Sequence, residues 1–269
     1  MNLIFYFWLF ITYLGDEYFY LIALTFLYLA ISKKLCYRTA LILFFSMWLN
    51  NLLKNVFKLE RPSGGLIKVS GYGFPSGHAQ NSSTFWGYLA IITQNLFIFI
   101  LAVVLVVLIA YSRIYLNVHY PIDVIGGIII GISLVLIYHF LSKIFEEKVE
   151  NFSFILKISV SIIVPLVLFA SFILLFSAEA SEDIPKICGA YLGVAVGYLI
   201  EGRIVGLKDP IKPRNKALRG ILGIILVFAI YLSLSILLPN GLYVKFLRYV
   251  LTAFILTVFA PFVIKILRL

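Results

Sequence analysis

Residues 96–142, LFIFILAVVLVVLIAYSRIYLNVHYPIDVIGGIIIGISLVLIYHFLS, hold two apolar runs separated by a short polar turn. The runs at 96–111 and 121–142 approach or exceed the ~20 residues that carry a helix across a bilayer. Between them lie Ser112, Arg113, Asn117 and His119, and Asp123 falls just inside the second run. Ionisable groups are costly in hydrocarbon and are retained where they line a polar site. The stretch therefore predicts two membrane helices joined by a turn that carries chemistry.

Outward from this turn, the 269-residue chain is 62% hydrophobic and only 13% charged, which excludes a soluble globule. Apolar runs predict spans near 18–33, 38–56, 78–94, 96–111, 121–142, 153–176, 185–201, 218–238 and 244–266. Residues 3–14 are aromatic-rich, too short to span and ended by Gly15-Asp16-Glu17, the pattern of an interfacial helix. The first residues carry no basic segment followed by a small-residue cleavage site, so the first span is expected to insert and stay.

The formal net charge of +10 would suit nucleic acid, but its placement points to a membrane instead. Lys33, Lys34 and Arg38 form one cluster, and Arg203, Lys208, Lys212, Arg214, Lys216 and Arg219 a second, with Lys265 and Arg268 near the end. With nine spans all three clusters fall on one side, which the positive-inside rule assigns to the cytoplasm, where anionic headgroups of the inner leaflet would meet them. No nucleic acid is expected. The polar turns around Lys54 to His78 and Ser112 to Asp123 then face outward, as does the acidic loop with Glu179, Glu182 and Asp183. Cys36 and Cys188 fall at opposite faces and should not pair. Gly189, Gly193 and Gly197 lay a smooth stripe on one helix, and Gly127 and Gly131 a shorter one. Such a stripe serves a neighbouring helix or a homodimer, so the oligomeric state stays open. Glu201 and Arg203 form a candidate ion pair beside it.

Two further segments share the chemistry of the first turn: KNVFKLERP from Lys54 to Pro62, and Pro75-Ser76-Gly77-His78. Phosphoryl transfer asks a protein mainly to position the group and neutralise charge on its oxygens. Lys54, Arg61 and Arg113 supply cations, the arginines as planar forks and the lysine as a point charge. Pro75 to His78 reads as a loop entering a helix, with Ser76 at the N-cap and Gly77 allowing close backbone approach to a phosphate at the helix terminus. Ser76 reads as a hydroxyl ligand of the phosphate, with a cap that has no ligand role as the alternative. Lys58 and Lys68 are ordinary interfacial charges, and His139 lies at the far end of its span. Three adjacent cations oppose a divalent ion, so neither a metal nor another cofactor is expected.

These three segments resemble the motifs of the type 2 phosphatidic acid phosphatase (PAP2) superfamily, Lys-x6-Arg-Pro, Pro-Ser-Gly-His and Ser-Arg-x5-His-x3-Asp, without departure at any motif residue. The resemblance implies that His119 is a nucleophile forming a phosphohistidine, that Asp123 holds its other ring nitrogen, and that His78 protonates the leaving group. It implies phosphate contacts from Lys54, Arg61, Ser76, Gly77 and Arg113. The expected fold is all-α, a polytopic transmembrane helical bundle: an interfacial segment at 1–17, a six-helix core at 18–176 and about three added spans in 177–269. The expected protein is a lipid phosphatase of the cell membrane, acting on a phosphate monoester or pyrophosphate of a lipid at the extracytoplasmic face. Phosphatidic acid, phosphatidylglycerophosphate, polyprenyl pyrophosphate and lipid A phosphates are substrates of the resembled family, and the sequence does not choose among them. A lipid phosphotransferase would use the same residues, and a phospholipid-binding transporter or scaffold would use the cations alone. Vanadium haloperoxidases share the core pattern, but their solubility contrasts with this hydropathy.

Overall fold

The computed structural model describes residues 3–177, 180–210 and 212–269, apart from the side chain of residue 146; Glu179 lies outside the described residues. Among the described residues there are eleven α-helices: α1 Leu3–Tyr13, α2 Glu17–Phe26, α3 Lys33–Phe57, α4 Gly77–Thr93, α5 Leu96–Tyr115, α6 Pro121–Glu150, α7 Phe154–Phe176, α8 Ile184–Ile200, α9 Pro213–Leu237, α10 Leu242–Phe254 and α11 Ala260–Ile266. Turns of π-helix at Leu27–Ile31, Glu201–Val205 and Ile255–Phe259 extend α2 and α8 and join α10 to α11.

Among the described residues seven helices are long and apolar enough to cross a membrane, and the chain is a multi-pass membrane protein. Two of the expected spans take a different form. The stretch at 18–33 is one arm of a pair, α1 with α2, bent by 54°. The helix expected at 78–94 is α4, with 17 residues, about 25 Å at 1.5 Å per residue. Its end is set by Gln94 in the left-handed region and by Asn95, whose side chain accepts from the Phe97 and Ile98 amides to cap α5. Conversely, α6 runs on to Glu150 rather than stopping near 142, because the Lys and Glu residues beyond the apolar run are good helix formers.

The chain forms two compact units, Met1–Tyr20 with Phe45–Glu146, and Leu21–Phe44 with Glu147–Leu269. In the first unit α4 and α5 pack as a hairpin, and α6 closes directly on α4. A side-chain carbon at Gly127 would stand 2.6 Å from the Ser76 carbonyl, and one at Gly131 2.5 Å from that of Gln80. Helix α1 lies along α5: Phe5 packs with Leu116 and Val118, and the Trp8 ring sits 4.9 Å from Tyr111 and 5.7 Å from Tyr115.

The second unit uses the glycine stripe of α8 internally. Gly189 abuts the Phe246 carbonyl, Gly193 the Val250 carbonyl and Gly197 the Thr257 hydroxyl. A polar cluster around the buried Glu201 and Arg219 ties the ends of this unit together. The Lys33 ammonium donates to both Glu201 oxygens at 2.8 and 2.7 Å, and its amide donates to Asp209. Lys265 donates to the Val205 carbonyl, and Arg219 to the Lys208 and Leu269 carbonyls. The expected Glu201–Arg203 pair does not form; Arg203 lies over the Phe154 ring at 4.4 Å. Residues two apart in a helix do not face each other, whereas Lys33 meets Glu201 head-on.

Candidate active site

All eight residues singled out from the sequence lie in the first unit. Lys54 occupies the last turn of α3 and Arg113 that of α5, while Gly77 and His78 begin α4 and Asp123 lies in the first turn of α6. Four helix ends thus deliver five of the eight residues, and Arg61, Ser76 and His119 lie in the loops between them. The loops between them are tied down by backbone bonds: Gly73 N–H donates to the Leu59 carbonyl at 2.7 Å, Leu66 to Leu116 at 2.9 Å, and Ser76 to the Asp123 carbonyl at 2.9 Å. The last of these joins two motif segments directly.

The tightest cluster is Arg61, His119 and Asp123. Arg61 Nη1 lies 2.9 Å from His119 Nε2, and His119 Nδ1 lies 3.4 Å from Asp123 Oδ2. Guanidinium has only donors, so Nε2 must accept, which places the ring proton on Nδ1 facing the carboxylate. The same Asp123 oxygen accepts from the Tyr120 amide at 2.9 Å, fixing its position. His119 and Asp123 are 3% and 2% exposed, so neither contact is diluted by bulk water. Arg61 is itself held by the carbonyls of Gly71, Ser70 and Val118, at 2.9, 3.2 and 3.0 Å.

Electrostatics hold His119 neutral. Burial lowers its proton affinity below the ordinary value of about 6.5, and the positive charges of Arg61, Lys54 and Arg113, with His78, add to the effect. Burial likewise lowers the pKa of Arg61 against the pull of Asp123, and the guanidinium stays charged. In the unfolded chain His119 takes up its proton first on acidification, so stability carried by the neutral ring is present above about pH 6.5 and falls below it. The His119 ring should accordingly stay neutral as pH is lowered through about 6.5, read from the NMR shifts of its two ring nitrogens. A full titration centred near that ordinary value would show instead that His119 titrates normally.

Ser76 stands at the N-cap of α4, but its side chain caps nothing. Its hydroxyl is buried with no hydrogen-bond partner among the described residues, as is Arg113 Nε. Ser76 thus holds the expected N-cap position through its backbone, and its hydroxyl makes no cap bond. Three residues absent from the sequence reading support the site. Asn50 donates to the Pro75 carbonyl at 3.2 Å and to Gln80 Oε1 at 2.8 Å, and Gln80 donates to the Ser46 carbonyl at 2.9 Å. Thr12 accepts from Arg113 Nη1 at 2.6 Å. The signal for Asn50 was its place four residues before Lys54, one turn up the same helix. Among the described residues no three His, Cys, Asp or Glu side chains cluster as metal ligands.

Comparison with known proteins finds two matching family models and several similar chains. The model of the PAP2 superfamily matches residues 34–146, and that of the PAP2 superfamily phosphatase, transmembrane extension, matches 185–269. Phosphatidylglycerophosphatase B of Bacillus subtilis is 35% identical over 114 residues, covering 39% of this chain and 54% of that protein. Sphingosine-1-phosphate phosphatase 2 of Homo sapiens is 28% identical over 200 residues, covering 70% and 50%. Undecaprenyl-diphosphatase of Sulfolobus acidocaldarius is 41% identical over 64 residues, covering 24% and 31%. The crystal structure of a transmembrane PAP2 type phosphatidylglycerolphosphate phosphatase from Bacillus subtilis aligns with a TM-score of 0.47 at 27% identity, over 57% of this chain and 81% of that one. The chain spans about half the length of the first two curated relatives.

Proposed function

Because this chain belongs to the PAP2 superfamily, we propose that it is a membrane phosphatase that removes a phosphate or pyrophosphate group from a lipid through a phosphohistidine. One observation carries the reading: a buried, neutral His119 whose Nδ1 faces Asp123 and whose Nε2 lone pair points to a cation. A binding protein needs cations for phosphate but not a carboxylate-oriented imidazole.

The chemistry follows from the groups in place. His119 Nε2 attacks phosphorus, forming an N–P bond as the ester O–P bond breaks, and His78 gives its proton to the departing oxygen. Asp123 holds the Nδ1 proton and stabilises the charge that the ring acquires. Water then attacks phosphorus, His78 takes its proton back, and the N–P bond breaks to release phosphate. Lys54, Arg61 and Arg113, with the α4 N-terminus, Gly77 and the Ser76 hydroxyl, neutralise the non-bridging oxygens. With that much positive charge no divalent ion is required.

Purified protein given phosphatidic acid, phosphatidylglycerophosphate, sphingosine-1-phosphate and a polyprenyl pyrophosphate should release phosphate from at least one. Release should persist in excess chelator and be inhibited by vanadate, which mimics five-coordinate phosphorus. No release from any of them, or activity lost to chelator and restored by a divalent ion, would contradict the reading.

The proposed topology puts the site at the extracytoplasmic face, because the positive-inside rule assigns the basic clusters to the cytoplasm. Lys33 shares its end of the second unit with the basic loop and the chain's last residues, which gathers the basic clusters on one side. Both native thiols are buried, so single cysteines introduced at exposed Ser63 and Lys212 report sidedness. An impermeant thiol reagent on intact cells should label the first and spare the second; the reverse pattern would put the site in the cytoplasm.

A further inference from the structure

The motif residues do not stand alone: the corner between α1 and α2 touches two of them from outside every motif. On α1, Phe5, Trp8 and Thr12 share one face, spaced three and four apart. The first packs with Leu116 and Val118, and Trp8 against Tyr111 and Tyr115. That stitching to the end of α5 brings Thr12 level with Arg113. The Thr12 hydroxyl accepts from Arg113 Nη1 at 2.6 Å, with the two residues 3% and 2% exposed. Three residues on, Gly15 is pressed against the other partner. A side-chain carbon there would stand 2.9 Å from His78 Cδ2 and 3.0 Å from Ile109 Cγ2.

Resting on the phosphatase reading above, we propose that this corner is a positioning device with one residue for each of two partners: Thr12 sets the Arg113 fork that receives phosphate, and Gly15 sets the His78 ring that protonates the leaving group. Arginine has several rotatable bonds and, if untethered, samples geometries that miss a bidentate contact. Anchoring Nη1 on a buried hydroxyl removes that freedom and leaves Nε, unpartnered among the described residues, for the ligand. Gly15 acts sterically, since any side chain there drives the imidazole away from its place.

The two halves predict different kinetic signatures. Thr12→Val keeps the shape and removes the acceptor; the inhibition constant for vanadate and the KM of every substrate should rise by about ten- to hundredfold, the scale of a hydrogen bond to a charged group. Thr12→Ser should restore both to within about threefold. Gly15→Ala should leave vanadate inhibition near wild type but slow alkyl phosphates by about tenfold relative to an activated aryl phosphate, which departs without a proton. An inhibition constant does not depend on the fraction of enzyme that folds, so a merely structural role for Thr12 would lower the yield of active protein and leave that constant unmoved. Unchanged vanadate inhibition in Thr12→Val, or equal weakening in Thr12→Ser, overturns the positioning role while wild-type turnover leaves the phosphatase reading intact. A wild-type protein without vanadate-sensitive turnover removes both.

Discussion

His119→Ala is expected to lower turnover by on the order of 10⁴-fold or more, the scale seen when a covalent nucleophile is removed from an intact site. The loss has a geometric origin. His119 Nε2 is the ring atom turned toward the cation cluster, while Nδ1 is held by Asp123. The other histidine of the site, His78, lies in the first turn of α4 and abuts Gly15. The variant should keep its fold, since alanine leaves the backbone bonds from Val118 N–H to Arg113 and from Asp123 N–H to Tyr120 in place. Steady-state phosphate release, with the thermal midpoint in detergent as a control, checks the result. Turnover within about tenfold of wild type would remove His119 from the chemistry.

The second large effect separates the two histidines. His78→Asn should slow phosphoenzyme formation from an alkyl phosphate by about 10²- to 10⁴-fold, the usual worth of a positioned general acid. An activated aryl phosphate should be affected by less than about tenfold, because its leaving group is stable as an anion. His119→Ala should abolish both. Equal losses for the two substrates in His78→Asn would mean that His78 binds or orients phosphate rather than donating a proton.

The local parts of this architecture were legible in the sequence and the long-range parts were not. Apolar runs located the helices because hydrocarbon imposes its length on each one separately. The motif residues could be named because Arg61, His119 and Asp123 sit at short, fixed intervals from Pro62, Arg113 and Pro121. Helix ends were harder: α6 continued through a charged stretch that periodicity treats as a boundary. Partners distant in sequence left no local mark. Thr12 meets Arg113 across 101 residues, and Lys33 meets Glu201 across 168. Their neighbours in sequence, Tyr13 and Arg203, offered nothing to suggest either pairing. The glycine stripe of α8 was readable as a close-packing surface, but its occupant, α10, became known only from the fold.

The most direct test of the central claim is to trap the phosphoenzyme. Wild-type protein mixed with a radiolabelled phosphate ester and quenched in base within milliseconds should carry acid-labile, base-stable label. Peptide mapping under alkaline conditions should place it on His119, at Nε2, since Nδ1 is turned to Asp123. Label on His78, on Nδ1 of His119 or on a hydroxyl, or substrate turnover with no trapped label at any quench time, would contradict the account.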